Sequence, residues 1–193
     1  MILCLIGFGS LPIGISHIGH DKDFCYQARG FNSVEEMDTA ILTRCNEIVS
    51  WDDELWILGD LAMGGNEKEW DRVYLSVNCQ NIYFLWGNHD TDNKRKKYTY
   101  EYGIMYEGMV DIFKYSKRKS FYLSHYPTIV SNYDDPKYFW NLSGHTHSKN
   151  IFDTRFPKVY NVAVDAHNCY PVSIEQIIKD IEKYEKQNYQ QQL

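Results

Sequence analysis

Apolar runs and amphipathic segments alternate through the first half of the chain. Strand-length apolar runs cover residues 2–6, 54–58 and 81–86, and their composition is typical of strands that are covered on both faces. Residues 33–49 carry apolar side chains at helical spacing and open on Ser33-Val-Glu-Glu36, which has the spacing of a capping box. Residues 66–77 are predicted to form a second helix. The first half therefore predicts the order β, α, β, α, β, with a glycine-rich stretch over residues 7–19.

Short strands dominate the second half of the chain. We predict strands over residues 109–115, 120–125, 140–144 and 159–163, with the first two joined as a hairpin by turn-like residues 116–119. A final helix begins at Ser173 and runs to about Tyr184, and the polar residues 187–193 are predicted to be frayed. A chain of 193 residues with no linker-like segment is predicted to form one domain over residues 1–193.

Charge and cysteine usage narrow the function classes. A formal net charge of −6 argues against a broad nucleic-acid-binding surface. The basic cluster Lys94, Arg95, Lys96, Lys97 is interpreted as a solvated face, with contact to an anionic substrate as the alternative. Five cysteines without a CxxC pair favour a reducing compartment. Since no apolar stretch approaches the roughly 18 residues of a membrane span, we expect a cytoplasmic protein without a membrane partner.

Polar residues that can bind metals follow four of the predicted strands. Asp60 follows the second strand after a glycine, Asn88-His89-Asp90 follows the third after a glycine, and His145 and His147 follow Gly144. His125 ends the strand before them. Sites collect at strand ends in α/β sheets, and glycine allows a ligand to approach the backbone closely. These residues are therefore predicted to share one crevice.

The residue types suit a pair of divalent ions. Asp60 offers two carboxylate oxygens that can bridge two metals, the histidines offer nitrogen atoms suited to Zn, Fe or Mn, and Asn88 adds a neutral oxygen. A metal-bound hydroxide can attack phosphorus in line, while His89 protonates the leaving oxygen or stabilises its charge. The sequence thus predicts hydrolysis of a phosphomonoester or phosphodiester.

The motifs Gly59-Asp60, Gly87-Asn-His-Asp90 and Gly144-His-Thr-His147, with the isolated His125, resemble those of the calcineurin-like metallophosphoesterases in order and spacing. Residues 31–37 and 161–165 also resemble recurrent segments of small bacterial and phage-type members. This resemblance implies an α/β (α+β) fold arranged as a four-layer αββα sandwich, in which two mixed sheets are flanked by helices. It spans almost the whole chain.

The same resemblance implies a role for each candidate residue. Asp60 would bridge two divalent ions, for which Mn is favoured over Fe or Zn. One ion would be held by Asn88, His125 and His145, and the other by His17 and His147. His89 would be the catalytic histidine paired with Asp90, and Asn88 and His89 would contact the phosphate-ester substrate.

One position departs from the family pattern. Ile15 precedes Ser16-His17 where the first motif of the family has an aspartate, and an aliphatic side chain cannot ligate a metal. We therefore expect weaker binding of the ion that His17 and His147 would hold, with Asp21 or Asp23 as candidate replacement ligands. The alternative function is a catalytically impaired homologue that binds a phosphorylated ligand or a protein partner. A further alternative is a structural metal protein, whose histidines only stabilise the fold.

Each remaining candidate has a structural interpretation. His20 is interpreted as structural. Asp165 and His167 either line the substrate pocket or form a structural turn. The tyrosines of residues 98–106 either form a substrate lid or pack on the surface, with surface packing favoured; they are Tyr98, Tyr100, Tyr102 and Tyr106.

Overall fold

The structure is a computed structural model that describes residues 3–5, 12–14, 17–63, 67–97, 104–105, 108–114, 117–131 and 138–190. Helices and parallel strands alternate through these ranges, so the chain has a mixed α/β fold of the α+β class. The strands are β1 Leu3–Leu5, β2 Pro12–Gly14, β3 Glu54–Ile57, β4 Asn81–Phe84, β5 Ile104–Met105, β6 Gly108–Lys114, β7 Lys117–Leu123, β8 Val130–Ser131, β9 Tyr138–Ser143, β10 Val159–Asn161 and β11 Val172–Ser173. The helices are α1 Asp23–Tyr26, α2 Val34–Ile48, α3 Glu67–Ser76, α4 Asp92–Lys97 and α5 Ile174–Gln190.

The strands of the described ranges form two sheets, and the smaller has five strands in the order β11-β2-β3-β4-β5. Strands β2, β3, β4 and β5 are parallel, which confirms the alternating pattern predicted for this half. The predicted first strand is present, but it does not belong to this sheet. Strand β1 exists but pairs with β6 in the other sheet, and β2 takes its place beside β3. Three residues that include Pro12 and Gly14 give too short a signal to separate a strand from a loop.

The larger sheet has the order β1-β6-β7-β9-β10 in the described ranges, with β8 also paired to β9. The predicted hairpin is present, but the predicted turn over residues 116–119 was wrong. Lys117 already pairs with Lys114, so Lys117 to Lys119 belong to β7. Strands β7, β9 and β10 are parallel, and their carboxyl ends therefore lie at the same edge of the sheet.

Two clusters of buried apolar side chains make up the core of the described residues. Because side chains alternate along a strand, β3 contributes Leu55 and Ile57 to one cluster and Trp56 to the other. The first cluster joins the smaller sheet to α2 through Met37, Ile41 and Cys45. The second joins the other face of the smaller sheet to the larger sheet and to α5, with members that include Leu123, Leu142, Tyr160, Ile177 and Ile181.

Both predicted caps lie where the sequence places them. The hydroxyl of Ser33 accepts a hydrogen bond from the Glu36 amide at 3.1 Å, and the hydroxyl of Ser173 accepts one from the Gln176 amide at 3.2 Å. Helix α5 continues to Gln190, however. The frayed tail predicted over residues 187–193 was therefore wrong for residues 187–190, which are helical. Within the described ranges, every helix is too short or too polar to cross a lipid bilayer.

Candidate metal site

The predicted ligands lie at the carboxyl ends of parallel strands in both sheets. His17 follows β2 and Asp60 follows β3, and the backbones of these two loops pair through the His17 amide and the Asp60 carbonyl at 3.1 Å. His125 follows β7, and His147 follows β9. His17, Asp60 and His147 have positive φ angles of 52°, 50° and 47°, which are uncommon for residues with a side chain and cluster at functional sites.

Backbone contacts hold the carboxylate of Asp60 in place. Asp60 is 1% exposed, and its Oδ1 accepts a hydrogen bond from the His89 amide at 2.8 Å. Asp90 connects the loops that carry Asp60 and Gly87. Its Oδ2 accepts hydrogen bonds from the amides of Asp60 at 3.0 Å and Gly87 at 2.8 Å. The loops that follow β3 and β4 are therefore held together around one carboxylate.

Three electron-pair donors, from Asn88, His125 and His145, converge beside Asp60. Nε2 of His125 lies 3.3 Å from Oδ2 of Asp60, 2.9 Å from Oδ1 of Asn88 and 3.1 Å from Nδ1 of His145. Nδ1 of His125 lies 2.8 Å from the carbonyl oxygen of Leu58. Because a carbonyl only accepts, Nδ1 carries the proton and the neutral ring presents the lone pair of Nε2 to the cluster.

A cation fits this arrangement. Ligand atoms of Asp60, His125 and His145 all lie within 4.8 Å of one another, and Oδ2 of Asp60 has no hydrogen-bond donor among the described residues. Burial acts to lower the pKa of His125, but its contacts with Asp60 and the Leu58 carbonyl outweigh burial and raise it. Burial acts to raise the pKa of Asp60, yet the contacts with His125 and the His89 amide lower it to about 2. The lowered pKa means that Asp60 carries a negative charge that can bind a cation.

A second group of candidate ligands also lies beside Asp60. Nε2 of His17 is 3.9 Å from Oδ2 of Asp60, and the His17 and His147 rings have centroids 4.3 Å apart. His17 is 2% exposed, and neither of its ring nitrogens has a hydrogen-bond partner in the described part of the chain. Burial, followed by the neighbouring His147, lowers the pKa of His17, so the neutral ring is favoured. A buried neutral imidazole with free nitrogens is suited to bind a metal.

Asp165 lies beside this second group. Its Oδ2 lies 3.3 Å from Nδ1 of His147, and both of its oxygens accept hydrogen bonds from Arg29, at 2.9 Å from Nε and 2.8 Å from Nη2. Burial acts to raise the pKa of Asp165, but the hydrogen bonds from His147 and Arg29 outweigh burial and place it well below its ordinary range. Of the two interpretations of Asp165, the structure therefore favours a place beside the site.

His89 and Asp90 lie on the loop after β4, but they face different surroundings. His89 is exposed beside Asp60, with its ring centroid 6.2 Å from that of His17. The described hydrogen bonds of Asp90 go to backbone amides, and its Oδ1 has no hydrogen-bond partner among the described residues. A pairing of Asp90 with the His89 side chain therefore stays a prediction.

The other candidates lie around or outside the cluster. Asp21 and Asp23 are exposed, and Oδ1 of Asp23 accepts a hydrogen bond from Tyr26, so the structure does not place either carboxylate in the cluster. Nε2 of His167 lies 2.8 Å from the Asn161 carbonyl, which favours the structural interpretation of His167. The ring of His20 lies 5.9 Å from that of His17. Ile15 and the tyrosines at 98, 100, 102 and 106 lie outside the described residues.

Sequence reasoning missed three residues at this site. Lys94 was interpreted as part of a solvated face, which was wrong, because it is buried and its ammonium donates to the carbonyls of Ala62 at 2.6 Å and His89 at 3.1 Å. Arg29 has no local motif, since its partner Asp165 lies 136 residues away in the chain. The ring centroid of Tyr126 lies 4.5 Å from that of His145. The sequence signal for Tyr126 is its position directly after His125.

Comparison with known proteins places the chain among uncharacterised relatives. No protein-family model matches it. The uncharacterized protein MJ1445 from Methanocaldococcus jannaschii is 30% identical over 177 residues, which cover 89% of this chain and 90% of the relative. The chain belongs to the family of MJ1445.

Two further proteins are similar at lower identity. The Gene 66 protein of Mycobacterium phage D29 is 24% identical over 196 residues, covering 90% of this chain and 94% of the phage protein. The crystal structure of the protein of unknown function AQ665 from Aquifex aeolicus matches with a TM-score of 0.63 and 22% identity, over 89% of this chain and 98% of that one. The structural match shows that the two proteins share a fold.

Proposed function

We propose that this protein is a metal-dependent phosphoesterase of the calcineurin-like type, which hydrolyses a phosphomonoester or phosphodiester at a dinuclear centre. One observation carries the proposal. The buried Oδ2 of Asp60, which has no hydrogen-bond donor among the described residues, lies 3.9 Å from Nε2 of His17 and 3.3 Å from Nε2 of His125. A carboxylate oxygen this close to two imidazole nitrogens is suited to bridge two ions.

The ligand groups divide between two ions. Asp60, Asn88, His125 and His145 would hold one ion, and His17, Asp60 and His147 would hold the other. When bound, such ions activate water at neutral pH and neutralise charge on phosphoryl oxygens. Their histidine and carboxylate ligands are compatible with Mn, Fe or Zn, and we favour Mn.

Residues of the chain would supply orientation and proton transfer. His89 is exposed above Asp60, where it can donate a proton to the leaving oxygen of a substrate. Asn88 and His89 would contact the phosphate from the same loop. Asp90 and Lys94 hold that loop through backbone groups, Asp90 at the Gly87 amide and Lys94 at the His89 carbonyl. Their part in catalysis is to keep His89 positioned against Asp60.

The test is hydrolysis of p-nitrophenyl phosphate and bis-p-nitrophenyl phosphate by the metal-free chain with Mn²⁺, Fe²⁺ or Zn²⁺ added separately. We expect hydrolysis of at least one ester with at least one metal, and its loss in Asp60→Asn and in His125→Gln. In His89→Gln we expect kcat to fall by about 10²- to 10⁴-fold, the usual contribution of a proton donor. His167→Gln is the matched control, because His167 bonds to a backbone carbonyl away from the cluster. Absence of turnover with every metal would contradict the proposal.

A binding role without turnover is the second candidate, and Ile15 favours it because it replaces the family's first-motif aspartate. Such a chain would bind Mn²⁺ and a phosphorylated ligand without hydrolysing either ester. A structural metal protein would lose thermal stability on chelation and bind no phosphorylated ligand. Metal-dependent hydrolysis that His89→Gln abolishes would exclude both.

Two further properties belong to this proposal. We propose a four-layer αββα sandwich, supported by the cluster of buried side chains that both sheets share and by the packing of α2 on the outer face of the smaller sheet. We also propose a cytoplasmic location, supported by four buried free thiols in the described ranges, Cys25, Cys45, Cys79 and Cys169.

A further inference from the structure

We infer that Arg29 and Asp165 form a positioning pair that holds His147 as a metal ligand and supports the ion position weakened by Ile15. This inference rests on the proposed function. His147 is the one residue of the second ligand group whose side chain is substantially exposed, at 40%, and an exposed ring needs an external constraint to keep one orientation. The carboxylate of Asp165 supplies that constraint.

The contact fixes which nitrogen of His147 faces the site. Nδ1 of His147 lies 3.3 Å from Oδ2 of Asp165, and because a carboxylate only accepts hydrogen bonds, this contact favours the tautomer that is protonated at Nδ1. Nε2 then carries the lone pair and is the nitrogen available to a metal. Carboxylate partners of this kind fix the tautomer of a metal-binding histidine and increase its basicity.

Arg29 fixes the carboxylate in turn. Its guanidinium side chain is 2% exposed and donates to both oxygens of Asp165, a fork geometry that allows little rotation. Because both oxygens are occupied, Asp165 acts through His147 and does not itself ligate. The carboxylate of Asp165 lies beside the ligand group in which Ile15 stands where the family has an aspartate, and the positive charge of Arg29 balances it. The pair joins residue 29, which precedes the 31–37 segment, to residue 165, the last residue of the 161–165 segment.

A matched ion pair on the same chain serves as the control. Asp153 accepts from Arg155 in the same two-pronged way, at 2.9 Å from Nε and 2.7 Å from Nη2. The side chains of Asp153 and Asp165 are each 11% exposed. Asp153 is not paired with a histidine in the described ranges. Asp153→Asn therefore reproduces the loss of charge and pairing without the contact to His147.

The first measurement is equilibrium binding of Mn²⁺ to the metal-free wild type and to both variants. We expect two ions per wild-type chain, with unequal affinities. In Asp165→Asn the weaker site should lose affinity by about 10- to 100-fold, the usual cost of removing such a partner, while the tighter site is unchanged. Asp153→Asn should match the wild type. If Asp165→Asn does not fold, Arg29→Lys is the second variant, because lysine keeps the positive charge but cannot donate two parallel hydrogen bonds to the carboxylate. The Mn²⁺ affinity of the weaker site should then fall by a smaller factor.

The second measurement needs neither metal nor activity. Long-range ¹H–¹⁵N spectra of the metal-free chain report which ring nitrogen carries the proton, and the His147 signals are those missing in His147→Gln. We expect protonated Nδ1 and unprotonated Nε2 in the wild type and a mixture of tautomers in Asp165→Asn, a change that a purely structural pair would not produce. Unchanged Mn²⁺ affinity and tautomer in Asp165→Asn would overturn the inference alone. A wild type that binds no Mn²⁺ would overturn the proposed function and this inference with it.

Discussion

Gly87 lies so close to the carboxylate of Asp60 that a Cβ atom at position 87 would overlap Oδ1. The two residues follow β4 and β3, which are adjacent and parallel. Because Gly87 has no side chain, the Asp60 side chain can occupy the space beside the loop that carries Asn88 and His89. Gly59 has a similar function, because a Cβ there would lie 2.6 Å from Nδ1 of His125.

Replacement of Gly87 by alanine should displace the Asp60 carboxylate. We expect the free energy of unfolding to fall by about 1 to 3 kcal/mol, as for other overpacked sites, and Mn²⁺ binding to be lost at both ion positions. Denaturant titration and equilibrium Mn²⁺ binding measure the two effects. Gly30→Ala is the control, since a Cβ there meets nothing within 4 Å although φ is +87°. It should cost about 1 to 2 kcal/mol for the left-handed backbone and leave Mn²⁺ binding intact. Normal Mn²⁺ affinity in Gly87→Ala would contradict the expected displacement.

Removal of the Lys94 ammonium should loosen the loop that carries His89. In Lys94→Met, the carbonyls of Ala62 and His89 lose a donor in a buried position, which should cost about 1 to 3 kcal/mol in the free energy of unfolding. We expect kcat for the better ester to fall more than KM changes, because the proton donor and not the ligand set is displaced. Lys96→Met is the matched control on the same helix, since Lys96 is exposed. Equal kinetics in the two variants would show that Lys94 has no part in positioning His89.

A carboxylate at position 15 should strengthen the weaker ion position. In Ile15→Asp, the affinity for the second Mn²⁺ should rise by about tenfold or more, because a carboxylate adds both an oxygen donor and a negative charge. Ser16→Asp adds the same charge one residue later and should not reproduce the gain. If Arg29 and Asp165 support the same ion position, Asp165→Asn should weaken binding less in the Ile15→Asp background. Unchanged binding in Ile15→Asp would show that Ile15 is not at the missing ligand position.

The thiol of Cys45 should be nearly inert in the folded chain. Burial raises its pKa to about 12, so about one molecule in ten thousand carries the thiolate at pH 8. An ordinary cysteine has a pKa of about 8.5. Pulse alkylation with N-ethylmaleimide followed by peptide mass spectrometry should leave Cys45 unmodified in the native protein and label it rapidly in guanidinium chloride. Rapid labelling of native Cys45 would show that the core around α2 opens readily.

The sequence predicts the site better than it predicts the order of strands that carry it. Asp60, Asn88, His125 and His145 each follow a predicted strand, and the structure brings all four within reach of one another because the carboxyl ends of parallel strands from the two sheets meet there. Strand β2 was missed because a three-residue strand with Pro12 and Gly14 has no measurable periodicity.

Other errors come from contacts between distant parts of the chain. A run of basic residues normally indicates a solvated surface, and only the three-dimensional position of Lys94 between two carbonyls shows why this one is buried. The pairing of Arg29 with Asp165 spans 136 residues, and no local pattern predicts a partner at that separation. The extension of α5 to Gln190 shows that a polar helical end can continue beyond its last apolar contact.

The candidate centre takes ligands from both sheets, because His17 and Asp60 follow strands of the smaller sheet while His125 and His145 follow strands of the larger one. Neither sheet alone can assemble it. During folding, high affinity for metal should therefore appear only when the two sheets dock. A bound ion would then cross-link the two sheets and slow their separation, so metal should affect the rate of unfolding more than the rate of folding.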